Sequence, residues 1–100
     1  MNMQQMMAQA QKMQRELKKA QAELAQKEFV VSKGGAVTVI VMGSKEVKSI
    51  NIDADAFDAD DKEMVEDMIA LAINEALEQI DAEMEAINER ITGQPGGFGI

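Results

Sequence analysis

Cysteine and histidine are both absent from this 100-residue chain. Without cysteine, neither a disulfide framework nor a thiolate metal site can form. Without histidine, the chain lacks the commonest metal ligand, the usual general base and the proton switch near neutral pH. Tryptophan and tyrosine are missing too, and three Phe are too few for a platform on which nucleic-acid bases stack. No apolar run approaches the roughly 20 residues of a membrane-spanning helix, and the opening residues lack the charged-then-apolar pattern of a secretory signal. These absences predict a cytoplasmic protein away from the membrane, without cofactor or metal, that is not an enzyme.

What is present is charge, unevenly spread. Residues 1–50 hold eight basic and four acidic side chains, residues 51–100 two and fourteen, for a net charge of -8. Lys12, Arg15, Lys18 and Lys19 cluster within eight residues of an otherwise acidic protein. The asymmetry suggests one end that faces a polyanion and one that solubilises. The length is that of one domain, which buries only about 65% of its unfolded surface and gains from a partner chain.

Hydrophobic spacing predicts the elements. Met6, Ala10, Met13, Leu17, Ala20 and Leu24 recur at alternating steps of four and three, the seam of a helix over 2–27. At 1.5 Å per residue that helix is roughly 39 Å long, more than one small domain can cover, so part of it should project or pack on another chain. Three strands are expected at 28–33, 36–42 and 46–52, the first two joined by Gly34-Gly35, which tolerates positive φ at both central positions. The middle one, AVTVIVM, is apolar enough to be covered on both faces. The third should place Val47 and Ser49 on one face and Lys48, Ile50 and Ile52 on the other. A second helix over 61–91 is apolar nearly all round in its first half and narrows to Ile80, Met84, Ile87 and Ile91. A helix covered on two sides needs a second subunit as well as a sheet. Residues 1–91 thus read as one domain, with 92–100 a mobile Gly-rich tail.

Possible chemical motifs reduce to structural ones. The acidic connection DADAFDADDKE fails the calcium-loop pattern: counting from Asn51 puts Ala56 at position six and Lys62 at twelve, and counting from Asp53 puts Phe57 at five and Met64 at twelve. Asp60 followed by Glu63 fits a capping box for the second helix. Carboxylates on that helix lie off its apolar stripe, where burial cannot perturb them. Gly34-Gly35 lacks phosphate-loop spacing and is a turn. The methionines at the start of the first helix suit a subunit seam or an adaptable partner surface.

The basic cluster is different. At about 100° per residue, Lys12, Arg15 and Lys19 fall within an arc of roughly 60° on nearly the opposite side from the seam. Glu16 and Glu23 interrupt the arc. Phosphates are met by charge and need no pocket, so such an arc suits a nucleic-acid backbone. A solvated amphipathic face is the plainer reading of the same residues.

The opening QMMAQAQKMQRELKKAQAEL, the turn and strands GGAVTVIVMGSKEVKSINID, the acidic connection, MVEDMIALAINEALEQID and the ending QPGGF together resemble the YbaB/EbfC family of bacterial nucleoid-associated proteins. The resemblance implies an α+β fold of α-β-β-β-α order, a three-stranded antiparallel meander packed on helices. It further implies an intertwined homodimer with projecting helices that binds double-stranded DNA in the nucleoid with little sequence preference. Family genes often neighbour those of replication and recombination-repair proteins, which become possible partners. The DNA-contacting helices would correspond to the first helix, with Lys12, Arg15, Lys18 and Lys19, and the end of the second, with Arg90. Residues expected at the dimer interface are Met13, Leu17, Val39, Val41, Met68, Ile69, Ile73, Leu77 and Ile80. The rival reading is a structural adaptor that binds a protein through the Met-rich helix.

Overall fold

The computed structural model describes residues 2–93. Helix α1 (Met3–Gln26) leads into strands β1 (Glu28–Lys33), β2 (Val37–Met42) and β3 (Val47–Ile52), then two 3₁₀ turns and helix α2 (Lys62–Thr92). The strands form one antiparallel sheet in the order β1-β2-β3. Every helix and strand boundary lies within one residue of that expected from hydrophobic spacing. The expected tail beyond Gly93 lies outside the described residues.

Local chemistry sets the boundaries. Asn2 caps α1, its side-chain oxygen accepting the Gln5 N–H at 2.8 Å. Gly34 and Gly35 take φ of +60° and +67° in the three-residue loop 34–36, where the Ala36 N–H donates to the Lys33 carbonyl at 3.0 Å. Gly93 ends α2 in the left-handed region at φ +73°, its N–H donating to the Glu89 carbonyl.

Two expectations about the acidic segment and β3 require correction. The capping box does not form: Asp61 is the N-cap of α2 and makes no side-chain cap bond. The near-repeat DAD…DAD instead builds two consecutive 3₁₀ turns, Ala54–Ala56 and Ala59–Asp61. Asp53 opens the first by accepting the Asp55 N–H, and Asp58 opens the second by accepting the Asp60 N–H, each at 2.9 Å. Short local Asp-to-backbone bonds compete successfully with a helical first turn. In β3, an irregularity beside Ile40 and Val41 pairs Ile40 with Ser49 but Val41 with Val47, leaving Lys48 as the extra residue. Val47 therefore shares a face with Ile50 and Ile52, opposite Val41, Val39 and Val37.

That face is the core. α2 lies across it and buries Phe29, Val31, Val37, Val39 and Val41 beneath Val65, Ala72, Ala76 and Ile80. Fully burying each Val or Ile stabilises by about 1.5–3 kcal/mol. The two Ala let the helix approach closely. β2 is covered on this face alone; Thr38, Ile40 and Met42 on the other remain half-exposed, because the chain supplies no second layer there. α2 centres on β1 and β2, so Val47 and Ile50 of β3 stay exposed at 41% and 45%.

Beyond the sheet, α2 continues as a projecting rod, and α1 runs antiparallel beside it through Leu17, Ala20 and Leu24. The radius of gyration is 18.9 Å, against about 13 Å for a compact chain of this length. The projecting helices account for the difference.

Candidate nucleic-acid interface

Lys12, Arg15, Lys18 and Lys19 are all exposed on α1. The seam residues on its other side have Ala20 and Leu24 buried and Met13 and Leu17 half-buried. Helical geometry thus turns the basic arc outward once the seam is docked. α2 contributes Arg90, which lines an open groove of about 300 Å³ with Ile91 and with Glu16, Lys19, Ala20 and Glu23 of α1. The two helices bring Arg90 to the flank of the arc, 71 positions downstream of Lys19 in the chain. Glu16 and Glu23 line the same groove, so the acidic interruptions lie at the edge of the arc.

Ion pairing divides the ten basic residues into two sets. Lys27 meets Glu83 at 2.8 Å, Lys33 meets Glu75 at 3.0 Å and Lys45 meets Asp81 at 2.8 Å, each linking the sheet or its turns to α2. Lys62 pairs with Glu66 at 3.4 Å along α2, and Lys48 pairs with Glu28 between strands. These exposed pairs stabilise little individually, but they direct part of α2's negative charge onto the sheet's own lysines. Lys12, Arg15, Lys18, Lys19 and Arg90 have no carboxylate partner among the described residues. On α1 the like charges at 15 and 19 are one turn apart, which an isolated helix disfavours by about 0.2–0.5 kcal/mol.

Among the described residues, no three acidic side chains converge as metal ligands, and no helix is long and apolar enough to cross a membrane.

Residues 1–95 match the sequence pattern of the YbaB/EbfC DNA-binding family. The chain belongs to that family. A nucleoid-associated protein of Clostridium novyi is 49% identical over 102 aligned positions, covering 98% of this chain and 90% of its own. One from Ruminiclostridium cellulolyticum is 44% identical, covering 97% and 85%. The crystal structure of the uncharacterized protein HP0035 from Helicobacter pylori superposes with a TM-score of 0.77 at 20% identity, covering 93% of this chain and 99% of that one. The helix-strand-strand-strand-helix fold expected from the resemblance is therefore the fold of this YbaB/EbfC protein.

Within it, the residues expected at a subunit interface separate into two groups. Val39, Val41 and Ile80 are at most 1% exposed and lie inside the chain's own core, so their burial needs no second chain. Met13, Leu17, Met68, Ile69, Ile73 and Leu77 remain partly exposed. Ile69 lines a groove with Ile52 at the end of β3, and Asp81 reaches Lys45 at its start, so the edge of α2 bearing Ile73 and Leu77 runs on the side of β3. Sequence reasoning missed that Val47 and Ile50 belong beside this edge, because a bulge is not legible in alternation. It also missed Phe57, 81% exposed at the rim of the same groove.

Proposed function

We propose that this YbaB/EbfC protein acts as a homodimer that binds double-stranded DNA with low sequence preference, through Lys12, Arg15, Lys18 and Lys19 of α1 and Arg90 of α2. One observation carries the reading: the five cations without a carboxylate partner among the described residues are the five on the projecting helix pair. The paired lysines all lie on or beside the sheet and the start of α2. Charges farther away than the screening length of about 8 Å at physiological salt are weakly felt, so the net charge of -8 does not by itself govern a contact made along the middle of α1 and the end of α2. The arc offers point charges and guanidinium forks rather than a shaped reading head, which favours phosphate contact over base readout.

Dimerisation is supported by the apolar strip that the chain leaves half covered, with Ile69, Ile73 and Leu77 on α2 and Val47 and Ile50 on β3. Light scattering should give twice the chain mass for the protein, and Ile73→Asp should release monomers. A native monomer would refute the dimer. DNA binding is tested by titrating the protein against duplex at several salt concentrations. With about six phosphates neutralised per dimer, log K should fall against log salt with a slope near -5. A slope near zero would remove the phosphate reading and favour the protein-adaptor alternative. The same titration on unrelated duplex sequences should differ by less than about tenfold, since phosphate contacts carry no sequence information.

A further inference from the structure

Every residue from 2 to 12 is exposed, so the outer part of α1 packs on no neighbour among the described residues. Its seam is covered by α2 only farther in, where Leu24 is 4% and Ala20 8% exposed. Outward, Leu17 and Met13 are half-buried, Met6 is 57% and Met3 78% exposed. The stripe nevertheless keeps its alternating steps of three and four through Met3, Met6, Ala10 and Met13, about three turns of helix. An isolated helix of that length is marginal in water. The same turns are also free of charge: residues 2–11 are Asn, Gln, Met and Ala alone. No other helical stretch among the described residues runs as far without a charged side chain. Two copies of a chain with net charge -8 repel where their charged faces meet, which makes a neutral apolar stripe the part of a helix that tolerates its own copy.

We propose that the outer stripe of α1 pairs antiparallel with the same stripe of a second copy, and that the pair bridges two DNA duplexes. The heptad pattern selects one register. Met3 and Ala10 take a positions, Met6 and Met13 take d positions, and an antiparallel pair sets each a against a d of the other helix. Met3 then faces Met13 and Met6 faces Ala10, reciprocally, so all four uncovered seam residues are used. Long thioethers adapt to such layers, and the small Ala10 leaves room for Met6. The flanking e and g positions, Met7, Gln9 and Gln14, bring no charge to the contact. Lys12, Arg15, Lys18 and Lys19 fall on the outer b, c and f positions and stay open. The two basic arcs therefore lie on opposite sides of the pair, with the two Arg15 about 21 Å apart along its axis. Each arc then has room for its own duplex. Three turns of paired helix bury less than the roughly 1,200 Å² of a stable interface. The contact is accordingly weak between free molecules and is made where neighbours are concentrated on DNA. It is separate from the strip on α2 and β3 that supports the dimer.

Bridging rests on the DNA reading and pairing does not, so the experiment has two arms. The chain has no cysteine, which lets single engineered thiols report contact. Concentrated full-length Met6→Cys chain is mixed with isotope-labelled Ala10→Cys chain and oxidised. The mixed disulfide should dominate, because only positions 6 and 10 face each other at bonding distance. Ala8→Cys, on the outer face, should cross-link no faster than random collision. In the second arm, protein on an immobilised duplex is offered a labelled free duplex. The parent protein should capture it. Met6→Gln with Ala10→Gln, which preserves charge and keeps good helix formers, should capture at least roughly tenfold less, with affinity for a single duplex within about twofold. A mixed disulfide no more abundant than those formed by Met6→Cys or Ala8→Cys alone would overturn the pairing. Undiminished capture by the double variant would overturn bridging through this stripe. Failure of the parent to bind even one duplex would instead remove the DNA reading, and bridging with it, while the thiols still decide the pairing.

Discussion

Gly43→Ala is expected to lower the thermal unfolding midpoint by roughly 15 °C. A Cβ at Gly43 would sit 1.7 Å from the carbonyl oxygen of Leu24 and 2.6 Å from its carbonyl carbon. These are backbone atoms in the last turn of α1, so no side chain can swing away to relieve the overlap. Moving that turn would also break the Gly43 N–H bond to the Lys27 carbonyl at 2.8 Å and the Lys27 N–H bond to the Leu24 carbonyl at 3.0 Å. Forced overpacking of this kind costs about 3 kcal/mol or more, and each kcal/mol shifts the midpoint of a chain this size by about 5 °C. Gly35→Ala makes the internal comparison. There the new methyl meets no atom within 4 Å, but φ is +67°, so only the left-handed conformational cost of about 1–2 kcal/mol remains. A midpoint for Gly43→Ala within 3 °C of the parent, or above that of Gly35→Ala, would show that α1 does not rest on the end of β2.

The second large effect concerns binding. Replacing Lys12, Arg15, Lys18 and Lys19 together by Ala should weaken DNA binding by about 10³-fold at 0.1 M salt and flatten the salt dependence. The size follows from counterion release: the homodimer loses eight cations and with them at least four of its roughly six phosphate contacts, each carrying close to 0.9 log unit per tenfold change in salt, so about 10³-fold is the lower bound. Stability should change little, because all four side chains are exposed and have no carboxylate partner among the described residues. The control is Lys45→Ala with Lys62→Ala, which removes two cations paired with Asp81 and Glu66. If the location of charge matters more than its sum, the control should lose less than about tenfold. Equal losses per charge removed would mean that DNA responds to net charge alone, and the assignment to α1 would fall.

Much of this architecture was legible in the chain. Apolar spacing located both helices, because a 3.6-residue period sustained over several turns has few alternative readings. Gly34-Gly35 announced its hairpin, since few other pairs adopt positive φ twice at low cost. The arc of Lys12, Arg15 and Lys19 opposite the seam followed from the same geometry. Less legible was the acidic segment, where Asp60 and Glu63 matched a capping box but Asp53 and Asp58 won with shorter-range bonds to Asp55 and Asp60. The faces of β3 were misassigned because one bulged residue, Lys48, inverts alternation on one side of it. Val39, Val41 and Ile80, expected at a subunit interface, are already buried by the chain's own packing. Apolarity marks a residue for burial without naming the surface that buries it.

The amino-acid order by itself determined the order of elements, their turns and the side of α1 on which cations gather, since each depends on residues a few positions apart. Which of those cations keep their charge uncompensated was decided only in three dimensions. Lys33 meets Glu75 and Lys27 meets Glu83 because α2 folds back over the sheet, while Lys12 to Lys19 lie on the part of α1 beyond the sheet. Ion pairs across 42 and 56 positions depend on how two elements dock, and local sequence carries no record of that docking.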